Sequence, residues 1–313
     1  MAVAHRLTAI APEIIVGDEL CFRELAPAFR AMGRNAAAPK RVLLVHHLTA
    51  WETELSEPRR VEARAAERRA IEACDWIVTT SETTKARLLA EGVRERIDVI
   101  LPGADRLART ADSARLSSPR TGALNPKPAG HPLRFVFLGS VIPRKRVVAL
   151  TRAFATGGAS DVGQLVIVGS TTRDEAYVAE VRRVIAEHGI AERVEVTGEV
   201  DEASVARALA DADVLVMASS LEGYGIAATE AIWAGLPVIA ARAQGLEEAL
   251  APCPGARIFA DDDAALASAL ARFAKDAGLR GSMLTAALVA ADRMPTWARC
   301  ADEFRASLRR SRA

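Results

Sequence analysis

The sequence has little cysteine, and none of it is paired by spacing: Cys21, Cys74, Cys253 and Cys300 are spread over 313 residues. This excludes a zinc-ribbon or disulfide framework and points to a reducing, cytoplasmic setting. Charge imbalance is lacking too, since 41 Lys and Arg nearly cancel 40 Asp and Glu. Without a basic field, no nucleic-acid partner is expected. No apolar run approaches the roughly 18 residues that span a bilayer, and the first residues lack the basic-then-apolar order of a secretion signal. A transmembrane segment is therefore not expected, while peripheral membrane contact stays compatible with the sequence. Also missing is a Gly-x-Gly-x-x-Gly after a first strand with an acidic residue about 20 positions on, which disfavours a dinucleotide-dependent oxidoreductase.

What is present is alternation. Short β-branched runs recur between longer helical segments, at 13–16, 41–45, 75–79 and 97–101, then at 133–138, 164–168, 194–197, 213–217 and 237–240. Runs bounded by turns and apolar nearly throughout suit parallel strands covered on both faces. Length favours two domains, because single cores stop growing at about 250 to 300 residues. The segment "DSARLSSPRTGALNPKPAGHP", 112–132, is rich in Ser, Gly and Pro and reads as a linker. The expected domains are thus 1–129 and 130–292. An amphipathic helix follows within 293–313, with Trp297, Phe304 and Leu308 on the face that docks on one domain or the other.

Three stretches could carry chemistry. In "GSVIPRKR", Gly139 to Arg146, three consecutive cations follow the end of a strand; they are either a solvated helix start or the wall of a polyanion site at a sheet edge. In "EGYGIAATE", Glu222 to Glu230, Gly223 and Gly225 permit a backbone path barred to other residues and let amides approach a ligand. The helix that follows would aim its first NH groups at the same edge, a fit for diphosphate oxygens. Glu230 is either an exposed helical carboxylate or an acceptor for the vicinal hydroxyls of a ribose. His46 and His47 end a strand of the first block, as structural imidazoles or as groups that polarise a substrate. Nearby ligands for a metal are not offered.

In order and spacing, "FLGSVIPRKR", "LVIVGS", "VEVTGEV", "ADVLVMASSLEGYGIAATEAIWAGLPVIA" and "QGLEEAL" resemble the retaining glycosyltransferases of family 4 over about 133–290. "LLVHHLTAWE", "DWIVTTSETTKARLL" and "IDVILPGADR" resemble the later part of that family's N-terminal domain. The resemblance implies an α/β protein of the GT-B fold, two Rossmann-like parallel-sheet domains, with the N-terminal one incomplete because its opening strand and glycine-rich loop have no counterpart. It also implies transfer of a hexosyl-type group from a nucleoside diphosphate sugar, with retention, to an unidentified glycan, lipid or small-molecule acceptor. Glu222 would lie beside the donor sugar, Glu230 on the ribose, and Gly225 and Ile226 near the diphosphate. Lys145 would neutralise the diphosphate, Glu199 and Val200 would face the base, and His46 would lie near the sugar. Gly139, Ser140, Arg144, Gly169, Gly223 and Tyr224 complete the donor set. No metal or other cofactor is required by this scheme.

One departure falls in the first loop, where Ser140 stands in place of the family's usual Arg; Arg144 or Arg146 is expected to compensate. The other is the front of the chain, which leaves a second expectation open, a nucleotide-sugar-binding protein or fragment without transferase activity.

Overall fold

The computed structural model describes residues 12–33, 38–109 and 131–310. They fall into two compact units, one running to Pro102 and resuming at Ala298, the other Gly103–Trp297.

The first unit is a four-stranded parallel sheet in sequence order, β1 (Ile14–Asp18), β2 (Lys40–Val45), β3 (Trp76–Thr79) and β4 (Arg96–Val99). Every residue of β3 is buried, as befits an inner strand, whereas Val16 of the edge strand β1 is exposed. Helices α1 (Phe22–Ala31), α2 (Glu57–Ile71) and α3 (Glu82–Ala90) make the crossovers that parallel pairing demands. The side chain of Ser81 caps α3 by accepting from the Thr84 amide, an arrangement worth about 1 kcal/mol. The buried Arg41 guanidinium holds Asp75 at 2.6 Å and also donates to the Phe29 and Gly33 carbonyls, tying the sheet to the end of α1.

The last helix, Trp297–Arg310, also belongs to this unit from Ala298 onward. Cys300, Phe304 and Leu308, four residues apart and hence on one stripe, cover Val42, Trp76, Val78 and Ile100. Ser307 and Arg310 both donate to Asp98 of β4. The amphipathic tail thus docks on the first unit.

The second unit is a six-stranded parallel sheet. Its strands are β5 (Leu133–Leu138), β6 (Gly163–Val168), β7 (Val194–Gly198), β8 (Val214–Met217), β9 (Val238–Ala241) and β10 (Arg257–Ala260). Their order is β10-β9-β8-β5-β6-β7. Period-two alternation divides the core: Phe135 and Phe137 of β5 with Val214 and Val216 of β8 face one hydrophobic cluster, and Val136 with Leu215 and Met217 face the other. Phe135 meets Phe154 and Phe273 edge-on, ring centroids 5.6 and 5.9 Å apart, contacts worth roughly 0.5 to 1.5 kcal/mol each beyond burial. β10 is a strand that the apolar-run reading does not find.

The contact boundary lies at Pro102/Gly103, whereas composition places it near residue 130. The reason is packing: Ala104 and Leu107 join the core of the second unit, and the Ala104 amide donates to the Pro295 carbonyl. Of the linker read at 112–132, residues 112–130 lie outside the described residues.

Candidate functional site

In the second unit, β5 and β8 are neighbours from which the chain winds outward in opposite directions. Such a switch point opens a crevice at the carboxyl ends of the two strands. Both glycine-bearing stretches singled out above begin there: Gly139 directly follows β5, and Ser219 to Gly225 follow β8.

The β5 loop runs through the single turn Pro143–Lys145 to Arg146, which is left-handed at φ +50° and starts helix α4 (Val147–Thr156). Three bonds zip it to the β8 loop: the Ser220 amide and hydroxyl donate to the Arg144 carbonyl at 3.0 and 3.2 Å, and Arg144 NH1 donates to the Leu221 carbonyl at 2.8 Å. Lys145 Nζ then lies 2.5 Å from Glu222 Oε1, which also accepts from the Ser219 hydroxyl at 2.6 Å. Arg144 NH1 stands 3.8 Å from the other oxygen, Oε2. The Glu222 side chain is 8% exposed. Burial pushes its carboxyl up, but Lys145, Arg144 and Ser219 outweigh that and hold it below the ordinary carboxylate value. Arg146 turns away to pair with Asp263, so of the two cations expected to replace the missing first-loop Arg, Arg144 is the one that faces Glu222.

Gly139 and Gly169 end β5 and β6 side by side. A Cβ on Gly169, at φ +144°, would lie 2.0 Å from the Gly139 carbonyl oxygen, so only glycine lets the two loops approach this closely. The Gly169 amide donates to the Gly198 carbonyl, bringing in the loop after β7, where Glu199 is exposed and Val200 leans on the core. Ser140 is half-buried beside Gly139.

Gly223 and Tyr224 are buried, and Gly225, at φ +96°, is the left-handed first cap of helix α7 (Ile226–Trp233). Helices α5 (Glu175–Glu187) and α6 (Glu202–Asp211), which follow β6 and β7, start under capping aspartates: Asp174 accepts from Tyr177 and Asp201 from Ser204. By contrast α4 and α7, which start at the switch point, have no side-chain cap from their own first-cap residues, although the Val148 amide of α4 donates to the Tyr177 hydroxyl at 3.2 Å. Their first amides have no carbonyl one turn back to bond, and the helix dipole adds positive potential there.

Glu230 sits in the second turn of α7 and is 3% exposed, which sets aside the exposed-carboxylate reading. Both its oxygens face one guanidinium, with Arg106 Nε donating to Oε1 at 2.8 Å and NH2 to Oε2 at 3.3 Å. Arg106 NH1 donates to Glu202 of α6 at 2.7 Å. Burial keeps the Glu230 carboxyl above its ordinary value, against the pull of Arg106. Sequence reasoning misses Arg106. Its only signal is its place one residue past "PGAD", in a stretch with no periodicity.

His46 lies in the first unit, just past β2. Its Nε2 is 3.2 Å from Asp18 Oδ2, and both side chains are 39% exposed. The backbone around it is fixed by the buried Glu19, which accepts from the His46 and His47 amides, while His47 bridges Glu19 at 3.4 Å and Glu52 at 3.0 Å. His47 is thus a structural imidazole, 16% exposed, and His46 the accessible one. Among the described residues no His, Cys, Asp and Glu side chains group as a metal set. Nor is any described helix long and apolar enough to cross a membrane.

Residues 125–287 match the family described as glycosyl transferases group 1, and residues 9–106 match glycosyltransferase family 4. A D-inositol 3-phosphate glycosyltransferase of Jonesia denitrificans is 31% identical over 179 residues, 55% of this chain and 42% of that protein. The chain spans about half the length of the curated relatives it matches. Among solved structures, sucrose-phosphate synthase from Thermosynechococcus elongatus superposes with a TM-score of 0.78 at 23% identity, over 99% of this chain and 76% of that one. Anabaena HepE in complex with UDP and glucose gives 0.77 at 18% identity, over 98% and 81%. At these identities the likeness is one of fold, two parallel-sheet units of the GT-B kind.

Proposed function

The chain belongs to the glycosyl transferases group 1 family, and from that premise we propose that it moves a glycosyl group from a nucleoside diphosphate sugar to an acceptor, with retention at the anomeric carbon. The observation that carries this reading is the convergence of Lys145 and Arg144 on one buried carboxylate, Glu222, at the switch point, in the same loop that leads through Gly225 into the start of α7. In the proposed complex the α7 amides at Ile226 and Ala227 receive diphosphate oxygens. Lys145, with N–H donors beyond the one given to Glu222, meets the charge that grows as the diphosphate departs. Glu222 attends the sugar and Glu230 the ribose. Gly139, Ser140, Gly169, Gly223 and Tyr224 shape the donor's path, and Glu199 and Val200 flank the base. His46 is retained as a sugar-side group on the resemblance alone.

In the transfer itself the bond from the anomeric carbon to the diphosphate oxygen breaks, and a bond to the acceptor hydroxyl oxygen forms on the same face. The hydroxyl proton leaves with the diphosphate. UDP in the complexes of one solved neighbour supports a uridine donor as the first trial. That none of the four cysteines is joined in a disulfide supports a reducing, cytoplasmic compartment.

The test is calorimetric titration of the whole chain with UDP, GDP and ADP, followed by assay of nucleoside diphosphate release from the matching sugar donors in the presence of acceptor extract. Binding of one nucleotide below about 1 mM, weakened in Lys145→Ala, is the expected result. No binding of any of the three would overturn the reading, and binding without release under any acceptor would leave a nucleotide-sugar-binding protein.

A further inference from the structure

Glu230 has two partners, and both belong to one side chain. Its described hydrogen bonds are those from Arg106 Nε and NH2, one to each oxygen. An ionised carboxylate offers about four lone-pair sites, so two remain for other donors in a place that is 3% exposed to water. Arg106 cannot easily swing aside, because its third nitrogen is spent on Glu202 of α6. The guanidinium is therefore clamped by carboxylates from two helices, and it in turn fixes the plane of Glu230. A Lys in its place would supply charge without a fork. A salt bridge meant only to join the segment after β4 to α7 would be met by Glu202, the more exposed of the two acids, and would not need an acid buried in the helix.

On the reading that this site holds a nucleotide sugar, we propose that Arg106 is a positioning residue for nucleoside recognition. It orients the Glu230 carboxylate so that the two remaining lone-pair sites receive vicinal ribose hydroxyls, and thereby sets a preference for ribonucleoside over 2′-deoxyribonucleoside diphosphates.

Charge supports the same assignment. The groups that face Glu230 are Arg106, which favours its anion, and Glu202 of α6, which opposes it; burial opposes it most. Without Arg106 the carboxyl would hold a proton at higher pH, and a protonated carboxyl loses part of its capacity to accept from hydroxyls.

The experiment titrates the whole chain, Arg106→Gln and Arg106→Lys with whichever of UDP, GDP or ADP the wild type binds, and with its 2′-deoxy analogue, between about pH 8 and about pH 5. The wild type should prefer the ribonucleotide by about tenfold or more, the scale of one hydrogen bond to a charged group. Arg106→Gln should cut that preference to within about threefold, and as pH falls it should lose the remaining preference at a higher pH than the wild type does, the 2′-deoxy analogue serving as the control for titration of the phosphates. Arg106→Lys should restore the wild-type pH profile and only part of the preference. Three results overturn the inference. One is an Arg106→Gln protein with wild-type preference and profile; another is one that binds the nucleotide more tightly, which would make Arg106 an occupant of the site. If Arg106→Gln does not fold, an Arg106→Lys protein with undiminished preference is the third. A wild type that binds none of the three nucleotides instead overturns the donor reading itself.

Discussion

Replacing Lys145 with Met removes an ammonium from Glu222 and keeps most of the stem's volume. What remains near the carboxylate is the Ser219 hydroxyl at 2.6 Å and Arg144 at 3.8 Å, in a site where the Glu222 side chain is 8% exposed. Burial, the largest influence on this carboxyl, then goes unanswered by its nearest cation. The unit can carry a buried charge that Arg144 only partly meets, or it can bind a proton. The second route bounds the cost: protonating at pH 7 a carboxyl whose ordinary value is 4.5 takes about 3 kcal/mol. The expected destabilisation at pH 7 is thus about 3 kcal/mol, the lower end of what a buried pair loses with one partner. The sign with pH follows. In the native protein the carboxyl is depressed, so its contribution is present above the ordinary value and is lost as pH falls through the depressed one. In the variant the carboxyl is raised, so stability is present below the ordinary value and is lost as pH rises. The gap between the two proteins should shrink to about 1 kcal/mol near pH 5. The assay is urea unfolding read by peptide-resolved hydrogen exchange over 103–297, because two units need not unfold together. Lys145→Met/Glu222→Gln removes the orphaned charge and should recover most of the loss. A loss under about 1 kcal/mol at pH 7, or one unchanged between pH 5 and pH 7, would refute the reasoning.

Two further outcomes are expected. Burial pushes the Glu67 carboxyl of the first unit up to about 7, against the Ala50 and Thr49 amides that favour its anion. A raised carboxyl stabilises fully below its ordinary value and loses that effect as pH rises through about 7, so Glu67→Gln should add up to about 3 kcal/mol above pH 7 and little near pH 4; an unchanged urea midpoint at about pH 8 would contradict this. Gly169→Ala would set a methyl 2.0 Å from the Gly139 carbonyl at a φ of +144°. It should cost more than about 3 kcal/mol and weaken nucleotide binding together with stability, and a thermal melt within a few degrees of wild type would count against so tight an approach.

The sheet strands were legible where they are apolar on both faces, and β10 shows the limit. Arg257–Ala260 is four residues long, begins with a cation and is followed by three aspartates, so nothing in its run marks the edge strand that pairs with β9. The compositional boundary and the contact boundary differ for a related reason. Composition reports where the chain turns polar, whereas the contacts change earlier, at residues such as Leu107 that are apolar singly and not in runs. At the site, the glycines and acids were legible because their backbone demands are local. Their cations split by distance along the chain. Lys145 is legible in a conspicuous cluster, but its pairing with Glu222, 77 positions on, is not, and Arg106, 124 positions from Glu230, stands in no cluster at all.

The two glutamates carry opposite shifts, Glu222 down and Glu230 up, a pattern that elsewhere divides a base from an acid. Their partners argue against that division here. A general base needs a lone pair free toward the proton it takes and a value near working pH. Glu222 gives Oε1 to both Lys145 and Ser219 and is held low, so it makes a weak base. A general acid needs a proton to give, and Glu230 faces two guanidinium nitrogens, one on each oxygen, which favour its anion. What the pair can supply is fixed negative charge beside fixed positive charge, which suits a reaction whose difficulty is charge leaving on a diphosphate. In the proposed transfer the acceptor proton therefore departs with the leaving group, and neither glutamate handles it.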